Sequence, residues 1–341
     1  MRAAPRFALL VGLLPSLLVA QGAAAFDPWH ESARYEIEYR VELGGLPPGA
    51  ARAWLPLPAQ SPGQRLLELH LTAPPGARET RDALGNRMLY AEFRRGRTWI
   101  VRAVVERDSL TPFTPAGQEP GRDPSRFLAP QRRIPLDGVI RRIATEQLRE
   151  LPPALPVRSR IRAFYDYVVS HMSYSKRGKG WGHGDAIWAC TRRYGNCTDF
   201  HSLFLGLARS QGIPARFVIG FPLPAERQEG PVPGYHCWAE AYDPALGWLP
   251  LDASEARKTG RPDAYFARLP SDRVAFSVGR DLVLSPPQDG APLNYFIYPY
   301  VEVEGRAVPT PPWSFRFRRL LGGSRPAVAA GAPEAAEPAG G

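Results

Sequence analysis

Hydrophobic and polar residues alternate along residues 33–43 (ARYEIEYRVEL), the period-two pattern of a strand with one buried face. Similar runs at 51–57, 65–72, 86–93 and 98–106 predict further short strands. Pro47-Pro48-Gly49, Pro74-Pro75-Gly76 and Gly85-Asn86 mark turns between them. Strands of this length at this spacing predict a β-sandwich domain over residues 26–110. The period then changes. Val139, Ile140, Ile143 and Leu148 recur at helical spacing within 136–150, as do Ile161, Phe164, Tyr165 and Val168 within 157–171. The proline-rich stretch 151–156 separates the two helices. Phe200, Leu203, Phe204 and Leu207 form the apolar face of a third helix over 198–211, with Gly212 as its stop signal. Strands are expected at 215–221, 235–242 and 248–251, and strand-like runs at 273–284 and 293–304. The predicted fold class is α+β, with a β-sandwich ahead of a mixed domain over 136–305.

The flanking segments read differently. Residues 1–25 open with Arg2 and Arg6, continue as an apolar run over 7–20, and end on Ala23 and Ala25. That is the pattern of a secretion signal, with Phe26 as the expected mature start. The run is short for a bilayer span, and no later segment is long and apolar enough, so the mature chain is expected to lack a transmembrane helix. The expected location is periplasmic or secreted. Residues 111–135 are rich in Pro, Gly, Arg and Asp without a period and read as a linker. Residues 322–341 are Gly, Ala, Pro and Glu, the composition of a disordered tail.

The formal net charge is +10. Its basic residues are scattered, with only short pairs such as Arg94-Arg95, Arg132-Arg133 and Arg141-Arg142, and no aromatic-plus-basic platform accompanies them. Nucleic acid is therefore not an expected partner. The 3 cysteines, Cys190, Cys197 and Cys237, are too few for a disulfide scaffold. An odd count leaves one thiol free, and a Cys190–Cys237 pair would leave Cys197 as that thiol.

Cys197 stands at the predicted start of a buried helix, directly after Gly195-Asn196. Free N–H groups and a partial positive charge gather at such a terminus, and both favour a thiolate, the reactive form of cysteine. The same N–H groups suit the oxyanion that forms when a thiolate attacks a carbonyl. A thiol nucleophile needs a base and a group to orient that base. His236 lies on the strand Tyr235-His236-Cys237-Trp238-Ala239-Glu240, and Asp252 ends Trp248-Leu249-Pro250-Leu251-Asp252. If these strands are antiparallel neighbours, imidazole and carboxylate meet on one face of the sheet. Taken singly, each residue also has a plain structural reading: a small buried hydrophobe, a strand histidine, and a cap before the helix start at Ser254. His201, four positions after Cys197, is a competing base, although its side chain would run parallel to the thiol.

The segments Tyr194-Gly195-Asn196-Cys197, Gly212-Ile213-Pro214-Ala215-Arg216, Tyr235-His236-Cys237-Trp238-Ala239-Glu240 and Trp248-Leu249-Pro250-Leu251-Asp252 together resemble the transglutaminase-like core, in order and in spacing. The resemblance covers roughly residues 155–260 and implies a papain-like fold, with a cysteine helix packed on an antiparallel sheet. It implies Cys197, His236 and Asp252 as the catalytic triad. Trp54-Leu55-Pro56-Leu57-Pro58 and Asp82-Ala83-Leu84-Gly85-Asn86 look like the β domain that precedes this core in bacterial relatives.

The activity implied is acyl transfer from an amide or peptide through a thioester on Cys197, as in a protease, a deamidase or a transglutaminase, with a protein or peptide substrate. The alternative is a non-catalytic envelope protein that keeps the fold. No cofactor or metal is expected. No D-x-[DN]-x-[DN]-G loop is present, and His183, Cys190, Cys197 and His201 lack the spacing of a zinc site. The family often adds an aromatic or polar side chain to the oxyanion site, and Tyr174, Trp181 and Trp188 are the candidates here. Asp199 could face the active site or simply the helix dipole.

Overall fold

The computed structural model describes residues 26–111, 123–149, 151–152 and 154–320. The expected leader, residues 112–122 of the expected linker and the expected tail lie outside them. The strands are β1 (Ala33–Glu42), β2 (Ala51–Pro56), β3 (Gln64–Thr72), β4 (Arg78–Arg81), β5 (Arg87–Phe93), β6 (Thr98–Arg107), β7 (Ser173–Tyr174), β8 (Tyr194–Gly195), β9 (Ala215–Pro222), β10 (Glu229–Pro231), β11 (His236–Asp243), β12 (Gly247–Leu251), β13 (Arg273–Val278), β14 (Tyr300–Val303), β15 (Arg306–Ala307) and β16 (Trp313–Leu320). The helices are α1 (Gly138–Arg149), α2 (Val157–His171), α3 (Ala186–Arg192), α4 (Cys197–Ser210) and α5 (Ala253–Thr259).

Two five-stranded sheets make the sandwich, in the orders β10-β16-β1-β6-β3 and β15-β14-β2-β5-β4. Alternation does what the sequence predicts. Tyr35, Ile37, Tyr39 and Val41 of β1 are buried, and they share one core with Val101, Ala103 and Val105 of β6 and with Leu55 and Leu89 of the facing sheet. The boundary of this unit differs from the expected one. β14 pairs with β2 and β16 pairs with β1, so the strand expected near 293–304 belongs to the sandwich and not to the mixed domain. A strand joins whichever edge offers matching hydrogen bonds, and local alternation does not name that edge.

The second unit is a four-stranded antiparallel sheet, order β12-β11-β9-β13, with the helices on one face. α4 is buried along its whole length and packs against α1, α2, α3 and α5 as well as β9 and β11. The described end of the expected linker is also packed. Asp123 caps a short 3₁₀ turn, Pro124–Phe127, and the Phe127 ring meets Trp248 edge-on at 5.4 Å.

The two units are joined through the free edge of β13. Gln64 Nε2 donates to the Ala275 carbonyl and its Oε1 accepts from Ala275 N–H, both at 2.8 Å. Asn86 makes the same two-way contact with Val278, at 2.8 and 2.7 Å. Each side-chain amide thus stands in for a neighbouring strand and satisfies backbone groups that burial would otherwise orphan. Phe221 of β9 stacks on Phe315 of β16 at 3.9 Å, which continues the core across the joint.

Candidate active site

The start of α4 is held by its own polar residues. Asn196 is the N-cap and accepts from Thr198 N–H at 2.9 Å, while Asp199 accepts from Asn196 N–H at 3.0 Å, a capping box. Asp199 does more than meet the helix dipole. Its carboxylate also takes the N–H groups of Gly182 (2.6 Å) and Gly184 (2.9 Å), which ties the 175–184 loop beside the helix. Gly195 is needed for this arrangement, because a Cβ there would come within 2.4 Å of Asp199 Oδ2. Buried Arg280 closes the same loop from outside. It donates to Ser202 Oγ at 2.6 Å and to the carbonyls of His183 and Gly184 at 3.2 Å.

Cys197 is therefore the first residue of a capped, buried helix. His236 opens β11. Asp252 follows β12 directly, and the register that pairs Ala239 with Leu251 brings it diagonally beside His236. His236 Nε2–H donates to Asp252 Oδ2 at 2.5 Å, and the imidazole also hydrogen-bonds the Cys197 side chain. The two structural readings of Asp252 hold together: its Oδ1 accepts from Glu255 N–H at 2.9 Å and from Ser254 Oγ at 2.8 Å, capping α5. Only 3% of Cys197 and 5% of His236 are exposed.

Charge follows from this geometry. Burial opposes ionisation of Cys197, but hydrogen bonds from Cys237 and His236 and the imidazole's positive charge outweigh it, and the thiol is held well below the ordinary cysteine range. Burial pulls His236 down, yet the Asp252 charge and hydrogen bond, with the Cys197 contact, raise it to about 10. Asp252 is held well below the usual carboxylate range, the His236 charge overcoming the cost of burial. These directions favour a Cys197 thiolate beside a protonated His236, with the Asp252 carboxylate behind it.

His201 is not arranged as the base. Its Nε2 accepts from Ala253 N–H at 3.2 Å, and burial keeps the ring below its ordinary range and so neutral. The 3.6 Å approach to Asp252 Oδ1 is then not an ion pair. Of the three aromatic candidates, Tyr174 lies near enough to Cys197 to feel its charge. Its phenol is pushed up first by burial and then by the Cys197 charge. Trp181 instead donates to the Gly178 carbonyl at 3.2 Å, and Trp188 packs edge-on to Tyr194 at 5.1 Å.

The possible Cys190–Cys237 bridge does not form. All three cysteines are free thiols: Cys237 packs against Thr198 and His201, whereas Cys190 hydrogen-bonds Tyr167. Among the described residues one trio could present ligands to a metal, His236, Asp252 and Glu255, whose atoms lie within 4.8 Å of one another. His236 and Asp252 already use theirs on each other. The residues that sequence reasoning did not single out are Arg280, whose partners are distant in the chain, and Tyr235, whose hydroxyl meets Thr198 Oγ1 at 2.9 Å.

Comparison with known proteins agrees with this geometry. Residues 141–253 match the family model of the transglutaminase-like superfamily. An uncharacterized protein of Haemophilus influenzae is 26% identical over 305 residues, which covers 75% of this chain and 82% of that protein. The crystal structure of a candidate cysteine protease from Cytophaga hutchinsonii superposes with a TM-score of 0.56 at 17% identity, over 85% of this chain and 91% of that one, a likeness of fold. Residues 141–253 are thus a transglutaminase-like core, set in a chain whose fold resembles that of the Cytophaga hutchinsonii protein.

Proposed function

We propose that the chain is a cysteine-dependent enzyme that transfers the acyl group of a protein or peptide amide through Cys197. The observation that carries this reading is the buried, hydrogen-bonded line from Cys197 through His236 to Asp252. The thiolate attacks the amide carbonyl and forms a C–S bond. The oxyanion is met by the Cys197 N–H, since the Thr198 and Asp199 N–H groups are bonded to Asn196, and by the Tyr174 hydroxyl. His236 gives its proton to the departing amine as the C–N bond breaks, leaving a thioester. His236, now neutral, takes a proton from water or from an incoming amine, which attacks the thioester and frees the thiolate. Water as acceptor gives a protease or a deamidase, and a lysine amine gives a cross-link.

Asp252 keeps the imidazole in the right tautomer throughout. No step calls for a metal or a cofactor. The leader-like pattern of residues 1–25 supports an envelope or secreted setting, and no helix among the described residues is long and apolar enough to cross a membrane. The test is to incubate the protein and its Cys197→Ala variant with a proteome-derived peptide mixture and map cleaved, deamidated and cross-linked products by mass spectrometry. Products that depend on Cys197 are expected and their type names the acceptor. Identical maps for the two proteins would leave the fold with a non-catalytic role.

A further inference from the structure

The loop 175–184 (SKRGKGWGHG) carries Lys176, Arg177 and Lys179 and no acidic residue. It is fixed to the head of α4 at both ends. Ser175 N–H donates to the Gly195 carbonyl at 2.9 Å, two residues before Cys197. Gly182 and Gly184 donate to the Asp199 carboxylate, two residues after it. Between these anchors the chain lies close on its neighbours. Gly182 has a φ of 83°, and a Cβ there would stand 3.3 Å from Asn196 Nδ2, beside the nucleophile's own N-cap. Trp181 Nε1 donates back to the Gly178 carbonyl at 3.2 Å, and Lys176 Nζ lies 6.0 Å over the Trp181 ring. Backbone hydrogen bonds thus carry three cations on an arch that starts and ends beside Cys197.

All three cations are exposed, and among the described residues none has a carboxylate partner. Carboxylates of the same region are engaged elsewhere. Asp199 accepts three backbone N–H groups, Asp185 accepts from Trp188 N–H at 2.9 Å, and Glu255 holds Lys258 at 2.6 Å. The outer face of the sandwich is different: there Arg34, Arg102 and Arg318 each hold a glutamate. Uncompensated charge of one sign draws anions over a distance of roughly 8–10 Å at ordinary salt.

We propose that the 175–184 loop selects substrates with carboxylates beside the scissile amide, so that the acyl donor is an acidic peptide segment. The proposal rests on the reading of Cys197 as an amide-attacking nucleophile and adds a substrate class to it. Lys176, Arg177 and Lys179 have no place in the bond-making steps. Their attraction for Asp and Glu side chains is the same before and during the reaction, so it lowers KM and leaves kcat alone.

The experiment compares alkylation of Cys197 by iodoacetate, an anion, with alkylation by iodoacetamide, its neutral counterpart, in the full chain at low ionic strength. The ratio of the two rates cancels any change in thiolate content and reads the field at the sulfur. A variant with Lys176→Gln, Arg177→Gln and Lys179→Gln is expected to lower the ratio about three- to tenfold, and added salt should shrink the difference. The charge-conserving variant Lys176→Arg, Arg177→Lys and Lys179→Arg should keep the ratio. So should Arg94→Gln, Arg95→Gln and Arg97→Gln, which remove the same charge from exposed positions between β5 and β6. Cys197-dependent products from a peptide mixture should be enriched in Asp and Glu beside the modified amide, and that enrichment should vanish with the three loop cations. A ratio indifferent to the loop cations, or lowered as much by the Arg94, Arg95 and Arg97 changes, would overturn the proposal, as would products without acidic enrichment. A Cys197 that reacts with iodoacetamide no faster than an ordinary thiol would instead count against the nucleophile itself.

Discussion

Asp252 holds His236 Nε2 at 2.5 Å with one carboxylate oxygen and caps helix α5 with the other. Orientation of the imidazole and the start of a helix thus depend on one buried side chain. The two roles can be separated. Asp252→Asn retains a cap acceptor but not the charge that fixes the imidazolium. It should fold with the cap intact, lose only the stability that the charge pair with His236 contributes, and lose about 10³–10⁴-fold in Cys197-dependent turnover. Asp252→Ala loses the cap as well, at about 0.5–2 kcal/mol, and leaves buried His236 without its acceptor. Thermal denaturation beside turnover checks this, and equal destabilisation by the two variants would contradict it.

Turnover should be bell-shaped in pH. The working form pairs a thiolate with an imidazolium. Activity should therefore appear as Cys197 ionises, well below the ordinary cysteine range, and fade as His236 loses its proton near about 10. These limbs belong to the coupled pair. Stability follows the same groups. The raised His236 contributes fully below its ordinary 6.5, and that contribution is lost as pH climbs towards about 10. The lowered Asp252 contributes above its ordinary 3.8 and loses that contribution in acid. The pair is thus most stabilising between these two ordinary values, and a denaturation series across pH in which Asp252→Asn removes no such dependence would argue against it.

Asp199 should matter for structure before chemistry. Its carboxylate gathers N–H groups from Gly182, Gly184 and Asn196. Asp199→Ala orphans three donors at the head of α4 and should cost about 2–4 kcal/mol. Gly195→Ala should act in the same direction, by pushing the carboxylate away. Hydrogen exchange at Gly182 and Gly184 reads the effect directly. Unchanged protection in Asp199→Ala would show that the loop is held by other contacts, with Arg280 foremost.

The joint between sandwich and core can be tested at Gln64 and Asn86. Gln64→Ala and Asn86→Ala should each cost about 1–3 kcal/mol by leaving β13 backbone groups unpaired. In the double variant the two units should melt separately, where the unaltered chain melts in one transition. A single transition in all variants would mean that the aromatic contacts, such as Phe221 on Phe315, suffice for coupling.

Much of the core was legible in the residues. The period over 157–171 coincides with α2, and the Gly195-Asn196-Cys197 punctuation places the thiol at a helix start, because capping chemistry is local. What escaped depended on distant partners. α3 has a short, weak period. β14 and β16 look like any alternating strands, and only the folded sheet shows that they complete the sandwich. Arg280 reads as a surface arginine until its carbonyl partners are seen. The choice of Tyr174 over Trp181 and Trp188 needed the position of Cys197 in space.

The most direct test of the central claim is the rate of Cys197 alkylation by iodoacetamide at about pH 6, compared with a cysteine in an unstructured peptide. An ordinary thiol is almost wholly protonated there, whereas a thiolate paired with an imidazolium is not. Cys197 should react at least about tenfold faster than the peptide, even after allowing for the weaker nucleophilicity of a low-pKa thiolate. The advantage should shrink in His236→Ala. A rate equal to or below the peptide's, with Cys197 alkylated readily only at alkaline pH, would contradict the account.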